Sequence, residues 1–389
     1  MADVRFLTAG ESHGKALIVI LEGIPANIDI SYDAIEEELE RRRLGYGRGT
    51  RMKIEKDELE VLSGIRNRKT TGSPISLLIK NAEWSHWIDI MSPYPATAVQ
   101  QEPILFPRPG HADLAGAQKY HQSDIRNISE RASARETAAR VAAGAICKQF
   151  LQHFAIEITS HIISIGSIGC DSKIIPFDTI KKIDRFSTLR VVDKKLKIRM
   201  EKLIDAAAAK GDTLGGILEV IIKNVPPGLG SYAQWDLRLD AALAGSMISI
   251  PAMKGVEIGI GFKAAHLSGS CVQDAIYYDN KKGFYRKTNN AGGIEGGISN
   301  GEDIRIKACI KPIPTLKKPL DSVNISSKEK GKASIQRSDV CAVNPATVIA
   351  ENVCAITIAQ FFLRKFGGDS YQEVEHNYHG YMKLLHQSG

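Results

Sequence analysis

Several features that would define a class of protein are missing from this 389-residue sequence or rare in it. Aromatic residues make up only 6%, and the early apolar run at residues 16–21 is far shorter than the roughly 20 residues of a membrane-spanning helix. Charged residues at positions 3, 5 and 11 argue against a signal peptide. The six cysteines are widely spaced without a Cys-x-x-Cys pair, so we expect free thiols and a soluble, cytoplasmic protein.

The common nucleotide and metal motifs are also absent. The sequence contains no G-x-x-x-x-G-K-[ST] motif and no G-x-G-x-x-G between a strand and a helix. His376 and His379 lie three residues apart in a polar C-terminal segment, where exposed histidines are expected, and we predict no metal site. Lys and Arg exceed Asp and Glu by only seven, an excess that fits anionic small substrates as well as nucleic acid.

The patterns that are present predict an α+β protein. Apolar runs predict strands at residues 16–21, 75–79, 216–222 and 304–310. Helices are predicted from Tyr32 to the arginines at 41–43, over residues 137–151, over 197–210, and from Asn344-Pro345 to the stop at Gly367-Gly368. Helices without regular strand–helix alternation favour α+β over a doubly wound sheet. No linker divides the chain, so we expect a single domain over residues 1–389, with 311–336 as a functional loop.

Histidines and arginines recur among glycines in three places. His13 lies in Gly-Glu-Ser-His-Gly, a turn between strand-like segments. Arg48 follows the helix end at residues 41–43 in a glycine-rich loop, where the helix dipole no longer explains a cation. Arg108 and His111 share the turn Arg-Pro-Gly-His-Ala-Asp, and a cation beside a histidine is suited to protonating a departing phosphate. Arginine guanidinium groups bind phosphate and carboxylate through paired hydrogen bonds. The alternatives are a solvated helix end for the arginines at 41–43 and a surface turn with a solvated histidine for Arg108 and His111.

Two further clusters lie before helices. Arg131 and Arg135 crowd the start of a predicted helix, where Ser133 and Glu136 form a capping-box pattern. Cations are unfavourable at that helix pole unless an anion binds there, so this conflict predicts an anion site. The last cluster is Arg-Ser-Asp at residues 337–339, just before the C-terminal apolar helix, where Asp339 either neutralises an arginine or acts in a site.

These clusters resemble the chorismate synthase family, and they follow the family order over almost the whole chain. The matching stretches are residues 10–15, 41–51, 108–113, 131–144, 211–230, 247–261, 291–301, 311–315 and 337–345. The resemblance implies 1,4-elimination of phosphate from 5-enolpyruvylshikimate 3-phosphate, giving chorismate, with reduced FMN and no net redox change. It also implies a β-α-β sandwich, with helices between two antiparallel sheets, and a homotetramer.

The resemblance assigns three catalytic residues. His111 is expected to protonate the leaving phosphate, and His13 to keep the reduced flavin correctly protonated. Asp339 is expected to assist the flavin N5 as the ring proton leaves the substrate. The resemblance therefore implies that Asp339 and both histidines transfer protons and do not only bind substrate or cofactor.

The resemblance also assigns binding residues. The expected FMN contacts are Arg131, Ala132, Ser133, Pro251, Ala252, Gly296, Lys311, Pro312, Ile313, Pro314, Thr315 and Arg337. Expected to bind substrate or NADP are Arg42, Arg48, Arg108 and Arg135. Two positions depart from the family pattern, since Ala132 replaces a serine and Pro251 an asparagine. Contacts through the main chain would tolerate both changes.

Two other functions compete with this interpretation. A phosphotransferase would use the arginines to hold a nucleotide, but the P-loop and an evident carboxylate cluster for Mg²⁺ are absent from the sequence. An RNA-binding protein would interleave aromatic residues among the arginines, where only Tyr46 qualifies. The sequence shows no separate reductase domain, so we expect external reduction of FMN, with NADPH as the alternative reductant.

Overall fold

The computed structural model describes residues 3–49, 55–94, 102–169, 174–280, 283–336 and 339–387. The strands in these residues are β1 (Arg5–Ala9), β2 (Ala16–Glu22), β3 (Leu59–Ser63), β4 (Ile65–Arg66), β5 (Lys69–Thr70), β6 (Ile75–Lys80), β7 (Glu157–Ile165), β8 (Ile168–Gly169), β9 (Gly216–Lys223), β10 (Met253–Ile258), β11 (Ile276–Asp279), β12 (Gly283–Arg286), β13 (Ile294–Glu295), β14 (Ile298–Ser299), β15 (Ile304–Ile310), β16 (Asp321–Val323) and β17 (Lys330–Lys332).

The α-helices in the same residues are α1 (Tyr32–Arg43), α2 (Trp84–Met91), α3 (Asp113–Tyr120), α4 (Arg126–Arg131), α5 (Thr137–Gln152), α6 (Phe177–Lys181), α7 (Lys194–Ala209), α8 (Leu239–Ile248), α9 (Gly269–Val272), α10 (Val343–Phe366) and α11 (Tyr371–Gln387). The mixture of helices with antiparallel sheets confirms the α+β class.

The two larger sheets are both antiparallel. The first has the strand order β1-β2-β6-β3, and the second has the order β10-β15-β9-β7-β8. In β2 the side chains of Leu17, Val19 and Leu21 are buried while those between them are more exposed. This alternation is the two-residue period of a strand with one face on the core.

Helix α5 connects the two sheets, because it packs on β2 and β6 of the first and on β7 of the second. Its neighbour α10 packs on β7 and β9 and also contacts α1 and α5. A side chain at Gly144 of α5 would come within 2.5 Å of Asn352 on α10, so a glycine is needed where these helices approach. Buried side chains from both sheets and these helices form one continuous core.

Most sequence-predicted elements are confirmed, and the differences are local. All four predicted strands form, and α1, α5 and α10 begin within one residue of their predicted starts. The predicted capping box is wrong, because Ser133 Oγ accepts from the amide of Arg135 (3.3 Å) rather than that of Glu136. The Glu136 carboxylate instead accepts from Thr8 Oγ1 (2.8 Å) and Arg140 Nε (2.9 Å). A contact with another part of the chain therefore replaces the local one.

One helix of the described residues, α10, is long and apolar enough to cross a membrane. Its most apolar stretch has a mean hydropathy of 1.6, and 94% of that stretch is buried inside the protein. The helix ends at Gly367, which adopts φ 64° and stops the helix as predicted. Burial on all sides makes α10 the central core helix of this fold.

Candidate active site

The turn between β1 and β2 holds His13 in one orientation. The His13 amide donates to Glu130 Oε2 (2.7 Å), and His13 Nδ1 lies 2.8 Å from Glu130 Oε1. The imidazole also stacks on Trp87, with ring centroids 4.0 Å apart and planes inclined by 20°. Asn81 donates to the carbonyl of Gly14 (2.7 Å), which fixes the end of the same turn. Glu130 and Trp87 were not predicted from the sequence, since neither lies near His13 along the chain.

A cavity of about 430 Å³ opens beside this turn. It is lined by Phe6, Leu7, Thr8, Arg131, Ala132, Ser133, Glu136, Arg140 and Pro251. Arg131 Nη2 donates to the carbonyl of Thr8 (2.9 Å), and the Ser133 hydroxyl donates to that of Ser12 (3.1 Å). The structure thus brings four of the predicted flavin positions together around one cavity.

The segment 311–315 connects two other predicted regions. The Lys311 amide donates to the carbonyl of Ala252 (3.0 Å), and Lys311 Nζ donates to that of Gly110. Ala252 has φ 69°, a left-handed backbone that non-glycine residues rarely adopt and that is often found at ligand sites. Thr315 Oγ1 accepts from Arg108 Nη1 (3.1 Å). The predicted flavin residues from 311 to 315 therefore adjoin the turn that carries His111.

Arg108 and His111 share one buried carboxylate, that of Asp113. Arg108 donates to Asp113 through Nε (2.8 Å) and Nη2 (3.0 Å), and His111 Nδ1 lies 2.6 Å from Asp113 Oδ1. Burial raises the pKa of Asp113, but the hydrogen bonds from His111 and Arg108 outweigh burial and hold that pKa well below its usual range. Arg108 Nη1 also donates to Gln336 Oε1 (2.8 Å). The predicted pairing of a cation with a histidine is therefore present.

Arg42 and Arg135 also share a buried carboxylate. Arg42 Nη2 donates to Asp57 Oδ2 (2.9 Å), Arg135 Nη1 donates to Asp57 Oδ1, and Arg135 Nη2 lies 3.3 Å from Glu55 Oε2. Burial raises the pKa of Asp57, yet the two arginines lower it to about 2. The cation at this helix start is balanced by Asp57 and Glu55 of the chain itself, and the anion site at Arg135 stays a prediction.

Arg48 and Asp339 are brought together from positions 291 residues apart. Arg48 Nη1 donates to Asp339 Oδ2, and the Gly49 amide donates to Asp339 Oδ1 (2.7 Å). Burial lowers the pKa of Arg48, and the attraction of Asp339 opposes this effect. Both oxygens of Asp339 are thus held by the loop that follows α1.

One predicted flavin residue of the described part of the chain, Gly296, is not joined to these clusters. Gly296 lies in the turn between β13 and β14 with φ 57°, and no hydrogen bond or ion pair of the described residues links it to another predicted site residue. Arg337 lies outside the described residues.

The other predicted residues define a class of protein. Two histidines are each fixed at Nδ1 by a carboxylate, and four arginines are held in ion pairs with acidic side chains. Such a set of groups binds polyanions and transfers protons, as an acid–base enzyme with an anionic small substrate requires.

The comparisons with known proteins identify the family. Residues 4–363 match the family described as chorismate synthase. The chain is 52% identical to chorismate synthase of Geotalea uraniireducens strain Rf4 over 388 residues, covering 98% of this chain and 99% of the relative. It is also 52% identical to that of Caldanaerobacter subterraneus subsp. tengcongensis over 382 residues, with the same coverage. The chain belongs to the chorismate synthase family and is an enzyme of the lyase class.

A solved structure supports the same conclusion at the level of the fold. A crystal structure titled chorismate synthase superposes with a TM-score of 0.81 at 41% identity. The match covers 100% of this chain and 99% of the solved one. The similarity therefore extends over every element that positions the site.

Proposed function

We propose that this site eliminates phosphate from 5-enolpyruvylshikimate 3-phosphate by a 1,4-elimination that gives chorismate. The observation that carries the proposal is the Arg108–His111–Asp113 turn in a chain of this family. The leaving phosphate needs a proton and a neighbouring positive charge, and this turn offers both at one place. His111 acts as the proton donor, and Arg108 stabilises the departing dianion.

The substrate has three anionic groups, a phosphate and two carboxylates. Arg42, Arg48 and Arg135 supply further guanidinium groups for them, and we assign Arg337 to the same set. Arg42 and Arg48 contact substrate rather than NADP, because each is tied to a site carboxylate: Arg42 to Asp57 and Arg48 to Asp339. Their charges therefore belong to the same network as the acid–base groups.

The residues around the cavity fit a reduced FMN cofactor. The volume of about 430 Å³ lies within the roughly 300–1,000 Å³ of small-molecule sites. Guanidinium groups of Arg131 and Arg140 and the hydroxyl of Ser133 border it, which suits a phosphate and a polar chain. Ala132 and Pro251 contribute here without polar side chains, so contact through the main chain fits their departure from the family pattern. We extend the cofactor site to Ala252, Gly296, residues 311–315 and Arg337.

When bound, reduced FMN supplies the transient electron donation that starts phosphate departure. His13 keeps a proton available beside the cofactor, held by Glu130 at Nδ1 and by the ring of Trp87. Asp339 assists removal of the substrate's ring proton. Asp339 accepts hydrogen bonds from Arg48 and from the Gly49 amide, so its carboxylate is held beside Arg48.

We further propose the assembly and context that the family resemblance implies. The single domain adopts the β-α-β sandwich, supported by the contacts of α5 with both sheets. Large exposed apolar side chains at Tyr232, Trp235, Phe262 and Phe284 offer surfaces for contacts between copies in a homotetramer. The free cysteines among the described residues fit a cytoplasmic location. FMN is reduced externally rather than by NADPH on this chain.

An anaerobic assay tests the activity and its cofactor. With chemically reduced FMN, chorismate is expected to form over many turnovers while the flavin stays reduced. Oxidised FMN with NADPH alone is expected to give no product. Stoichiometric oxidation of the flavin would overturn the proposed reaction, whereas product formation from oxidised FMN and NADPH would overturn only external reduction.

A further inference from the structure

Asp113 is fully buried at the first residue of α3, two positions after His111. Its Oδ1 accepts from His111 Nδ1 (2.6 Å) and Arg108 Nη2 (3.0 Å). Its Oδ2 accepts from Arg108 Nε (2.8 Å) and from the Arg108 amide (3.0 Å). Four hydrogen bonds therefore fix the carboxylate, and the carboxylate in turn fixes the imidazole.

The charge of Asp113 decides which nitrogen of His111 carries a proton. Three N–H groups of Arg108, the amide, Nε and Nη2, donate to the two oxygens of Asp113, so the group is a carboxylate that only accepts. His111 Nδ1 must then donate to it in the neutral as well as the charged imidazole. Arg108 Nη2 lies 3.1 Å from the same Nδ1 because both donors share Oδ1.

This leaves Nε2 as the nitrogen that gains and loses a proton. Among the described residues no hydrogen bond to His111 Nε2 is formed, and the side chain is 16% exposed. The imidazole is thus anchored through one nitrogen and available through the other. A side chain that only filled a surface turn would not need a buried acceptor of this kind.

We infer that Asp113 is a positioning residue for His111, fixing the Nδ1–H tautomer so that Nε2 delivers the proton to the leaving phosphate. The inference rests on the proposed function of His111. As the carbon–oxygen bond to phosphate breaks, the phosphate oxygen keeps the electron pair and takes the proton from Nε2. His111 is left neutral, with its remaining proton on Nδ1 and directed at Asp113.

A competing role for Asp113 is to balance and orient Arg108 alone. That role predicts weaker substrate binding on substitution, whether or not His111 is present. The positioning role predicts a loss of turnover that depends on His111. A double-mutant cycle with the two residues separates these possibilities, because substitutions that act through one group are not additive.

The experiment compares Asp113→Asn, His111→Ala and the double variant in anaerobic assays with reduced FMN. We expect Asp113→Asn to lower kcat by about 10- to 10⁴-fold, a range that extends from the loss of a partner of a metal-bound histidine to the loss of an aspartate that fixes the tautomer of a catalytic histidine. We expect the same substitution to change kcat little in the His111→Ala background. Asp193→Asn, which replaces another carboxylate at a helix start, serves as the control and is expected to keep normal kcat.

Three results have distinct meanings. Normal kcat in Asp113→Asn with reduced kcat in His111→Ala would overturn the positioning role alone. Equal losses from Asp113→Asn with and without His111 would also overturn it, in favour of an action through Arg108. Normal kcat in His111→Ala would instead overturn the proposed function of His111.

A measurement on the unsubstituted protein tests the inference even where Asp113→Asn does not fold. Solid-state NMR of ¹⁵N-histidine-labelled protein distinguishes protonated from unprotonated ring nitrogens, and His111→Ala assigns the His111 signals. We expect a protonated Nδ1 in the neutral imidazole of His111. A neutral imidazole protonated at Nε2 would overturn the assigned tautomer and with it the role of Asp113.

Discussion

Asp57 offers a quantitative test of how the site is held together. Its side chain is fully buried and is the shared partner of Arg42 and Arg135. The pKa of Asp57 falls from 3.8 to about 2 because two guanidinium groups outweigh the effect of burial. At about 1.4 kcal/mol for each pH unit, this difference corresponds to roughly 2 kcal/mol of folding free energy at neutral pH.

Asp57→Asn keeps the size of the side chain and removes its charge, so we expect a loss of roughly 2 kcal/mol at pH 7. Asp57→Ala also removes the hydrogen bonds, so that Arg42 loses the carboxylate it shares with Arg135 and Arg135 keeps Glu55 alone, for which we expect about 3–5 kcal/mol. Urea unfolding followed by circular dichroism measures both. Asp205→Asn is the control, because among the described residues the side-chain donor to the carboxylate of Asp205 is the exposed Tyr46 hydroxyl, and its loss is expected to cost less than about 0.5 kcal/mol.

The pH dependence of the free energy of unfolding tests the direction of the Asp57 contribution. Because folding lowers the pKa of Asp57, its contribution is complete above the unfolded value of about 4 and disappears as the pH falls towards about 2. The difference between the unsubstituted protein and Asp57→Asn is therefore expected to shrink to about half by pH 3. A difference that grows as the pH falls, or no difference at pH 7, would refute the ion-pair account.

Three further predictions concern other carboxylates. Glu130→Gln is expected to lower single-turnover rates by about 10- to 100-fold, because His13 loses the partner that orients it; a normal rate would contradict this. Asp339→Asn is expected to lower turnover strongly while FMN and substrate affinities, measured by titration, change less than about tenfold, or ~1.4 kcal/mol. Glu351→Gln is expected to cost about 3–5 kcal/mol in urea unfolding, because the buried Arg41 and Arg190 and the partly buried Lys148 lose a shared partner, with normal kcat in the folded fraction.

The sequence was sufficient for the elements whose patterns are local. The strand at residues 304–310 and helix α1 were predicted with the bounds that the structure has. Helix α10 was predicted from its proline near the start and its two glycines at the end. The apolar pattern of a strand and the proline and glycine residues at helix ends depend on neighbouring residues in the sequence. These elements therefore form as predicted without information about contacts with distant parts of the chain.

The site was predicted by its cations and histidines but not by their partners. His13 and Glu130 are 117 residues apart, and Arg135 and Asp57 are 78 apart. No local pattern connects residues at such distances, because only the completed fold brings them together. A weak signal for Asp57 existed in the acidic stretch at residues 55–58, immediately after the glycine-rich arginine loop. Asp113 was visible in its motif, but its role depends on burial, which the sequence does not report.

The core of the protein contains a second cluster of ion pairs, built from the same residue types as the site. Glu351 accepts from Arg41 (2.9 Å) and Lys148 (2.7 Å), and Glu38 joins both cations. Lys148 and Arg41 outweigh burial and lower the pKa of Glu38 to about 2. Composition cannot separate this cluster from the site, since both consist of arginines paired with acids.

Exposure distinguishes the two histidines of the proposed site from the core cluster. Arg41 and Glu351 have side chains no more than 4% exposed, with both carboxylate oxygens of Glu351 occupied by neighbours. His13 and His111 are each 16% exposed, and the ring of each is held by a carboxylate at Nδ1. A buried charge that is already enclosed by its partners must leave an ion pair before it can bind a ligand, and that step costs free energy. A group anchored on one side and open on the other can meet a substrate without such a cost, and for this reason we propose that the proton transfers occur at the histidine clusters.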